Sequence, residues 1–329
     1  MTYSAVDDIE EAYQATKGLL LPFDLRQWLR LAVVVFFVSG VGGYNTGSFG
    51  NAPSPPGPGV SGPSVFDSFV GVLAIAGVVL LVALAFALVG SIMEFVFVRI
   101  VERRDVRIRG PFGENGRKGL SLFFFRLLLG VVFLATVLFL AGLVWGLGVA
   151  GALIAVLLSP LVAVGVIGLY LLHRFTVDFV VPVMLVDGVG VVKGWQTFAP
   201  ELRENTAEYG VYALVRIGLG LGFGVVVGVG FVAVAVLVGI PFAILAGVVL
   251  AVQFFVGLGP VFFVLAVVGI ALYAIAVTVV GVTVVQTPVS TYLRHYSLFV
   301  LADVSPEYDL VADVRSDIKT GTGEPGSDR

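Results

Sequence analysis

A chain of 329 residues with 58% hydrophobic and only 12% charged residues does not read as a soluble globule, because ordinary domains carry about a quarter charged residues. Its net charge is −3, and no nucleic-acid partner is expected. Cysteine is absent, which excludes disulfides, thiolate metal sites and a cysteine nucleophile.

Apolar runs longer than about 18 residues, without the dyad alternation of barrel strands, predict an all-α, polytopic membrane helix bundle. Residues 1–27 come first, and Val6, Ile9 and Tyr13 recur there at helical spacing behind a Ser4/Asp7 capping-box variant. This predicts an amphipathic cytoplasmic helix. Its acids precede any apolar core, which is not the order of a secretory signal. The bundle is expected over 28–302, with spans at 29–43, 69–98, 122–144, 152–172, 211–237 and 261–285. They form three repeat-like hairpin units, at about 22–105, 111–190 and 194–302. An uncharged Gly/Pro/Ser-rich outer loop at 44–66 and an acidic cytoplasmic tail at 303–329 complete the chain.

A seventh apolar piece, 241–258, opens at Pro241 and is bounded by Gly-Ile-Pro and Gly-Leu-Gly-Pro. Lysine and arginine in short loops mark the cytoplasmic side. With six spans, all 19 basic residues fall on that side. A full span at 241–258 would move Arg294, Arg315, Lys319 and Arg329 outside, so the piece is expected to be re-entrant or interfacial. Both termini are then cytoplasmic, and the cell membrane is the expected location.

Three segments open alike, with a phenylalanine seven residues beyond an arginine: Arg30/Phe37, Arg126/Phe133 and Arg216/Phe223. Each arginine sits about one turn inside the apolar stretch. There its stem stays in hydrocarbon while its head reaches the phosphates. Each hairpin returns through a polar residue, Glu94, Asp178 or Gln286, and antiparallel neighbours suggest Arg30–Glu94 and Arg126–Asp178 ion pairs. Arg103, Arg104, Arg107, Arg109, Lys193 and Trp195 are candidate contacts for lipid headgroups or a protein partner, with Trp195 beside Lys193 suiting an anchor at the interface. Gly220, Gly224 and Gly228 at four-residue spacing predict a close-packed helix face.

No Walker A, H-E-x-x-H or G-x-S-x-G motif occurs, and the two G-x-G-x-x-G matches, at Gly57 and Gly146, follow no predicted strand. His173 and His295 stand singly, each beside an arginine. No catalytic, cofactor or metal residues are assigned. The expected function is a membrane protein without catalytic chemistry that binds lipid headgroups or a protein partner through its cytoplasmic face. The alternative is a transporter or permease component working through 241–258.

Three blocks carry a resemblance: AVDDIEEAYQATKGLLLPFDLRQWLRLA, then TVDFVVPVMLVDGVGVVKGWQTFAPELRENTAEYGVYALVR, then PVSTYLRHYSLFVLADVSPEYDLV. The chain resembles an uncharacterised family of multi-pass membrane proteins found in halophilic archaea, which implies a six-helix membrane fold and no activity. The middle block is also distantly similar to the membrane domain that accompanies bacterial glycerophosphodiester phosphodiesterases. The soluble domain and the acid/His cluster of that chemistry are missing, so the resemblance does not imply the activity.

Overall fold

The computed structural model describes residues 4–39, 69–257 and 259–320; the expected outer loop at 44–66 and the end of the tail lie outside the described residues. Every regular element among the described residues is helical. In chain order they are α1 (Ser4–Leu20), α2 (Leu25–Ser39), α3 (Phe69–Arg103), α4 (Arg109–Glu114), α5 (Gly116–Phe175), α6 (Val181–Asp187), α7 (Val191–Glu204), α8 (Thr206–Val256), α9 (Pro260–Gly281), α10 (Thr287–Val304) and α11 (Ala312–Thr320). Four stretches, Leu73–Arg103, Gly116–Asp187, Thr206–Val256 and Pro260–Val304, are long and apolar enough to cross a membrane.

Wide π-turns at Thr176–Val180 and Val282–Gln286 join α5 to α6 and α9 to α10. Pro182 and Pro288 each follow two residues later. A proline lacks the N–H that would bond the carbonyl four residues back, and here that carbonyl, on Asp178 or Val284, lies inside the π-turn. The wider register absorbs the misfit without ending the helix.

A straight α5 of 60 residues would be about 90 Å long. Yet its first turns touch the segment just beyond its end: Lys118 Nζ donates to the Leu185 carbonyl at 3.4 Å, and the Val191 N–H to Ser121 Oγ at 3.0 Å. The chain therefore doubles back, at Gly148, whose φ of 56° and ψ of −127° interrupt the helix. A Cβ on Gly151 would collide with the Leu143 carbonyl, so the reversal needs glycine there.

The second long reversal departs from the sequence expectation. The piece 241–258 is not set apart from the span before it: α8 runs unbroken through Pro241 to Val256, and the chain turns at Gly257 (φ 76°) and Gly259 (φ 54°). α9 packs back along it, with Gly239 against Tyr273, the Phe242 and Tyr273 rings 5.5 Å apart and the Tyr273 hydroxyl donating to the Ala235 carbonyl at 3.0 Å. One proline removes one rung of the helical ladder, and this lateral packing on either side of it holds the helix together.

Gly220, Gly224 and Gly228 face open space rather than a close neighbour. The tight approaches are made by Gly90 on the Phe37 carbonyl, Gly119 on Ile92, Gly230 on Val285 and Gly281 on Phe231. Spacing alone marks a small-residue stripe, but the facing side chains decide which glycines are used.

The packed core lies at one end of the long hairpins, around α10, whose residues from Ser290 to Ala302 are all buried. Ala12 and Ala15 of α1, Leu31 and Val35 of α2, and Phe95 and Phe97 of α3 belong to it. So do Phe179, Phe198 of α7, and Tyr209 and Tyr212 of α8. The apolar faces of α1 and α7 are thus largely spent on the protein itself, with Ala12, Ala15, Leu19 and Leu20 of α1 and Val191 and Phe198 of α7 buried.

Candidate functional site: the charged root of the hairpins

Where α3, α5, α8 and α10 converge, six charged side chains form one network. Glu94, on the last third of α3, receives Arg126 Nη2 at 2.6 Å on Oε1 and Arg294 Nη2 on Oε2. The side chains of Glu94 and Arg294 are each 1% exposed. Arg294 also donates to the Val177 carbonyl at 2.9 Å, which ties α10 into the π-turn. The neighbouring Asp178 Oδ2 accepts the Tyr212 hydroxyl at 2.7 Å and faces Arg174 Nε at 3.0 Å and Arg216 Nε at 3.6 Å. Four guanidinium groups thus surround two carboxylates, all at least nearly buried except Arg126, which keeps 19% of its side chain exposed.

The pairing is shifted by one hairpin from the sequence expectation. Glu94 closes the first hairpin and is held by Arg126, which opens the second. Asp178 closes the second and is held by Arg216, which opens the third. Gln286 closes the third and donates to Ser39 Oγ of α2 at 2.6 Å, so this joint returns to the first hairpin without a charge. Arg30 pairs with neither carboxylate; it is exposed and has no ion-pair partner among the described residues. Each carboxylate is thus reached by the arginine that opens the following apolar stretch, and Asp178 also by Arg174 one turn before it.

The chain belongs to DUF7544, a family of unknown function, whose model matches residues 3–311. The matched stretch takes in the whole charged root and both long hairpins. No curated protein and no solved structure matches the chain.

Sequence reasoning grouped Arg294 with the terminal cations and passed over Arg174 and Tyr212. The available signal was an arginine set among apolar and aromatic residues, YLRHYSLF at 292–299, where a cation without a buried partner would be costly. The other candidates scatter. Arg103 and Lys193 are exposed, and Arg107 is exposed beside Asp105 at 2.8 Å. Arg104, at a φ of 51°, ends the α3 corner and reaches Asp317 of α11 at 3.1 Å. The side chain of Arg109 lies outside the described residues. Trp195 turns inward: its Nε1 donates to Thr176 Oγ1 at 3.0 Å, and its ring packs 5.7 Å from that of Phe198.

A second charged cluster clamps the end of the described chain. Arg315 of α11 meets Asp8 at 2.9 Å, Glu11 at 2.8 Å and Asp303, with its guanidinium 4.9 Å from the Phe299 ring centroid. Burial first, and then the Asp303 and Glu11 charges, push the Asp8 carboxyl up to about 8 against the opposing pull of Arg315. His295 is buried between α1 and α10, with Nδ1 3.0 Å from the Thr291 carbonyl and 3.3 Å from Thr16 Oγ1. Among the described residues no group of His, Asp or Glu is placed to hold a metal ion.

Proposed function

We propose that the protein is a polytopic membrane protein of the cell membrane with six crossings, arranged as three hairpins, and with both termini cytoplasmic. In this reading it carries no catalytic chemistry and engages anionic lipid headgroups through the basic side of the bundle. The crossings are α2, α3, the two arms of α5, α8, and α9 with its π-turn.

The observation that carries this reading is the segregation of charge. Residues 31–66, 68–93, 127–172 and 217–293 contain no Asp, Glu, Lys or Arg, and Glu94, Arg126, Arg174, Asp178, Arg216 and Arg294, which lie at or just beyond the ends of these runs, meet at the root. From Arg126 to the turn at Gly148 the helix rises about 33 Å, close to the hydrocarbon thickness of about 30 Å. The continuous α8 also supports the topology, since a single crossing there followed by a return through α9 leaves the tail on the same side as the N-terminus. The permease alternative loses the broken helix that motivated it.

Impermeant cysteine labelling in intact cells is the test, using single cysteines at Ser316, Arg103 and the outer-loop Ser61. Labelling of Ser61 alone is expected. Labelling of Ser316 or Arg103 from outside would overturn the topology and with it the headgroup reading. In vesicles, neutralising Arg103, Arg107 and Lys193 together should weaken association with anionic lipid, each such cation contributing about 1 kcal/mol.

A further inference from the structure

The three joints between hairpins are unequal, and the third leaves an opening. Between α2 and the returning α9 lies a lateral cleft of about 500 Å³, within the range of ligand sites. Leu29, Val33 and Phe36 form one wall, and Ile275, Val279 and Val282 the other. It is apolar throughout: the hydroxyls of Thr278 and Thr283, which also border it, bond back to the Ala274 and Val279 carbonyls at 2.8 and 2.7 Å.

The Gln286–Ser39 hydrogen bond closes the cleft beyond Phe36 and Thr283, which leaves Leu29 at its other end, and the cations of α2 stand at that Leu29 end. Arg26 lies two turns before Val33 on its stripe, and Arg30 lies beside Leu29. Both are exposed, and neither has an ion-pair partner among the described residues. Just below them, the turn into α2 exposes Leu21, Phe23 and Leu25, while Trp28 stacks obliquely on Phe23 at 5.0 Å and donates to the Leu20 carbonyl at 3.0 Å. Such an aromatic turn marks headgroup depth. The two other hairpin-opening arginines have a carboxylate. Arg30 has none, and the joint that α2 makes nine residues further on, Gln286 on Ser39, is uncharged.

We infer that this cleft holds one anionic phospholipid, its acyl chain between α2 and α9 and its phosphate on Arg26 and Arg30. A neutral acyl chain fits the walls, and the phosphate supplies the counter-charge that Arg26 and Arg30 lack among the described residues; guanidinium groups suit a phosphate at this depth. The inference shares with the proposed function only its membrane placement, because Arg103, Arg107 and Lys193 take no part.

The test is native mass spectrometry of the full chain in neutral detergent, titrated with phosphatidylglycerol or phosphatidylcholine. One phosphatidylglycerol should be retained per chain, roughly thirtyfold more tightly than in the Arg26→Gln/Arg30→Gln variant, as expected for two interfacial cations. Val33→Trp, which fills the cleft at an exposed position, should also lose it, with thermal unfolding of both variants unchanged. Equal retention of both lipids, or retention that survives either variant, would overturn the assignment, as would displacement by glycerol phosphate, which lacks an acyl chain. Loss of this lipid in the Arg103/Arg107/Lys193 variant would also count against it, whereas normal retention there alongside weak vesicle association separates this site from the general headgroup reading.

Discussion

In the root, α10 buries every residue from Ser290 to Ala302, whereas along the distal parts of α8 and α9 Leu237, Ile244, Val267 and Ile270 are each about two-thirds exposed. The same continuous helices pass from one regime to the other. Where they converge, packing is dense, aromatic rings touch and charges are paired, as between Phe179 and Phe198 at 5.5 Å or Tyr212 and Tyr296 at 5.5 Å. Where they diverge, leucine, valine and isoleucine face outward in a way that only an apolar surround would tolerate. Stability of the assembled protein should therefore reside in the root, and the distal arms should accept substitution as long as they stay apolar.

The largest break in that contrast is expected at Glu94. Replacing it by Ala strands Arg126 and Arg294 together, and loss of one partner from a buried pair costs about 3–5 kcal/mol. Thermal unfolding in detergent should show a fall of that order for Glu94→Ala. An equivalent change in the distal arm, Ile244→Ala, should be far milder, because an exposed side chain leaves little cavity. If the two variants melt alike, the division of the molecule into root and arms is wrong. Next comes Tyr212→Phe, which deletes a 2.7 Å hydrogen bond to the buried Asp178 carboxylate; bonds to charged groups contribute about 1.5–3 kcal/mol. The loss should shrink when Asp178 is already Asn, and a double-mutant cycle would read that coupling.

A smaller effect sharpens the picture at the edge of the root, where α1, α10 and α11 meet. The folded Asp8 carboxyl is raised to about 8 from an ordinary value of 3.8, so the folded state keeps a proton that the unfolded chain releases. That stabilisation is complete below about pH 4, declines as pH rises, and is gone above about pH 8. Amide exchange in α1 and α11 should accordingly speed up between pH 5 and 8 beyond the intrinsic rate. Asp8→Asn should flatten this pH dependence, while Asp303→Asn, by removing the largest charge acting upward on Asp8, should shift it to lower pH. The smallest change is expected for Arg30→Gln. With its side chain exposed and unpaired, it should leave the melting temperature within the range of ordinary surface substitutions, about 0.5 kcal/mol, unlike its counterparts Arg126 and Arg216.

The arginines that open three apolar stretches, and the polar residues that close them, were legible in the sequence because burial of a charge near hydrocarbon is costly enough to leave a sparse, regular pattern. Which arginine would serve which carboxylate was not legible. Sequence order suggests Arg30 for Glu94, but the choice depends on how the hairpins stand side by side, and that is fixed by contacts such as Gly119 on Ile92 and Ser39 on Gln286. Pro241 misled for a related reason. Locally it reads as a helix break, yet the lateral support of Tyr273 carries the helix through it. The reversal at Gly148 gave the opposite lesson. The turn itself was anticipated by the gap between the spans 122–144 and 152–172, and its execution needed a positive φ and the room that Gly151 leaves.

By itself the sequence determined that long apolar helices would form and that charge would collect at a few positions between them, since helix formation and the cost of unpaired charge depend on local composition. Only the tertiary structure decided that Arg294 would cross from α10 to Glu94, that the apolar faces of α1 and α7 would be covered by protein, and that Arg30 would be left without a partner beside a cleft. These outcomes rest on distances between residues far apart in the chain, and a Coulomb interaction or a packing contact is set by separation in space whatever the separation in sequence.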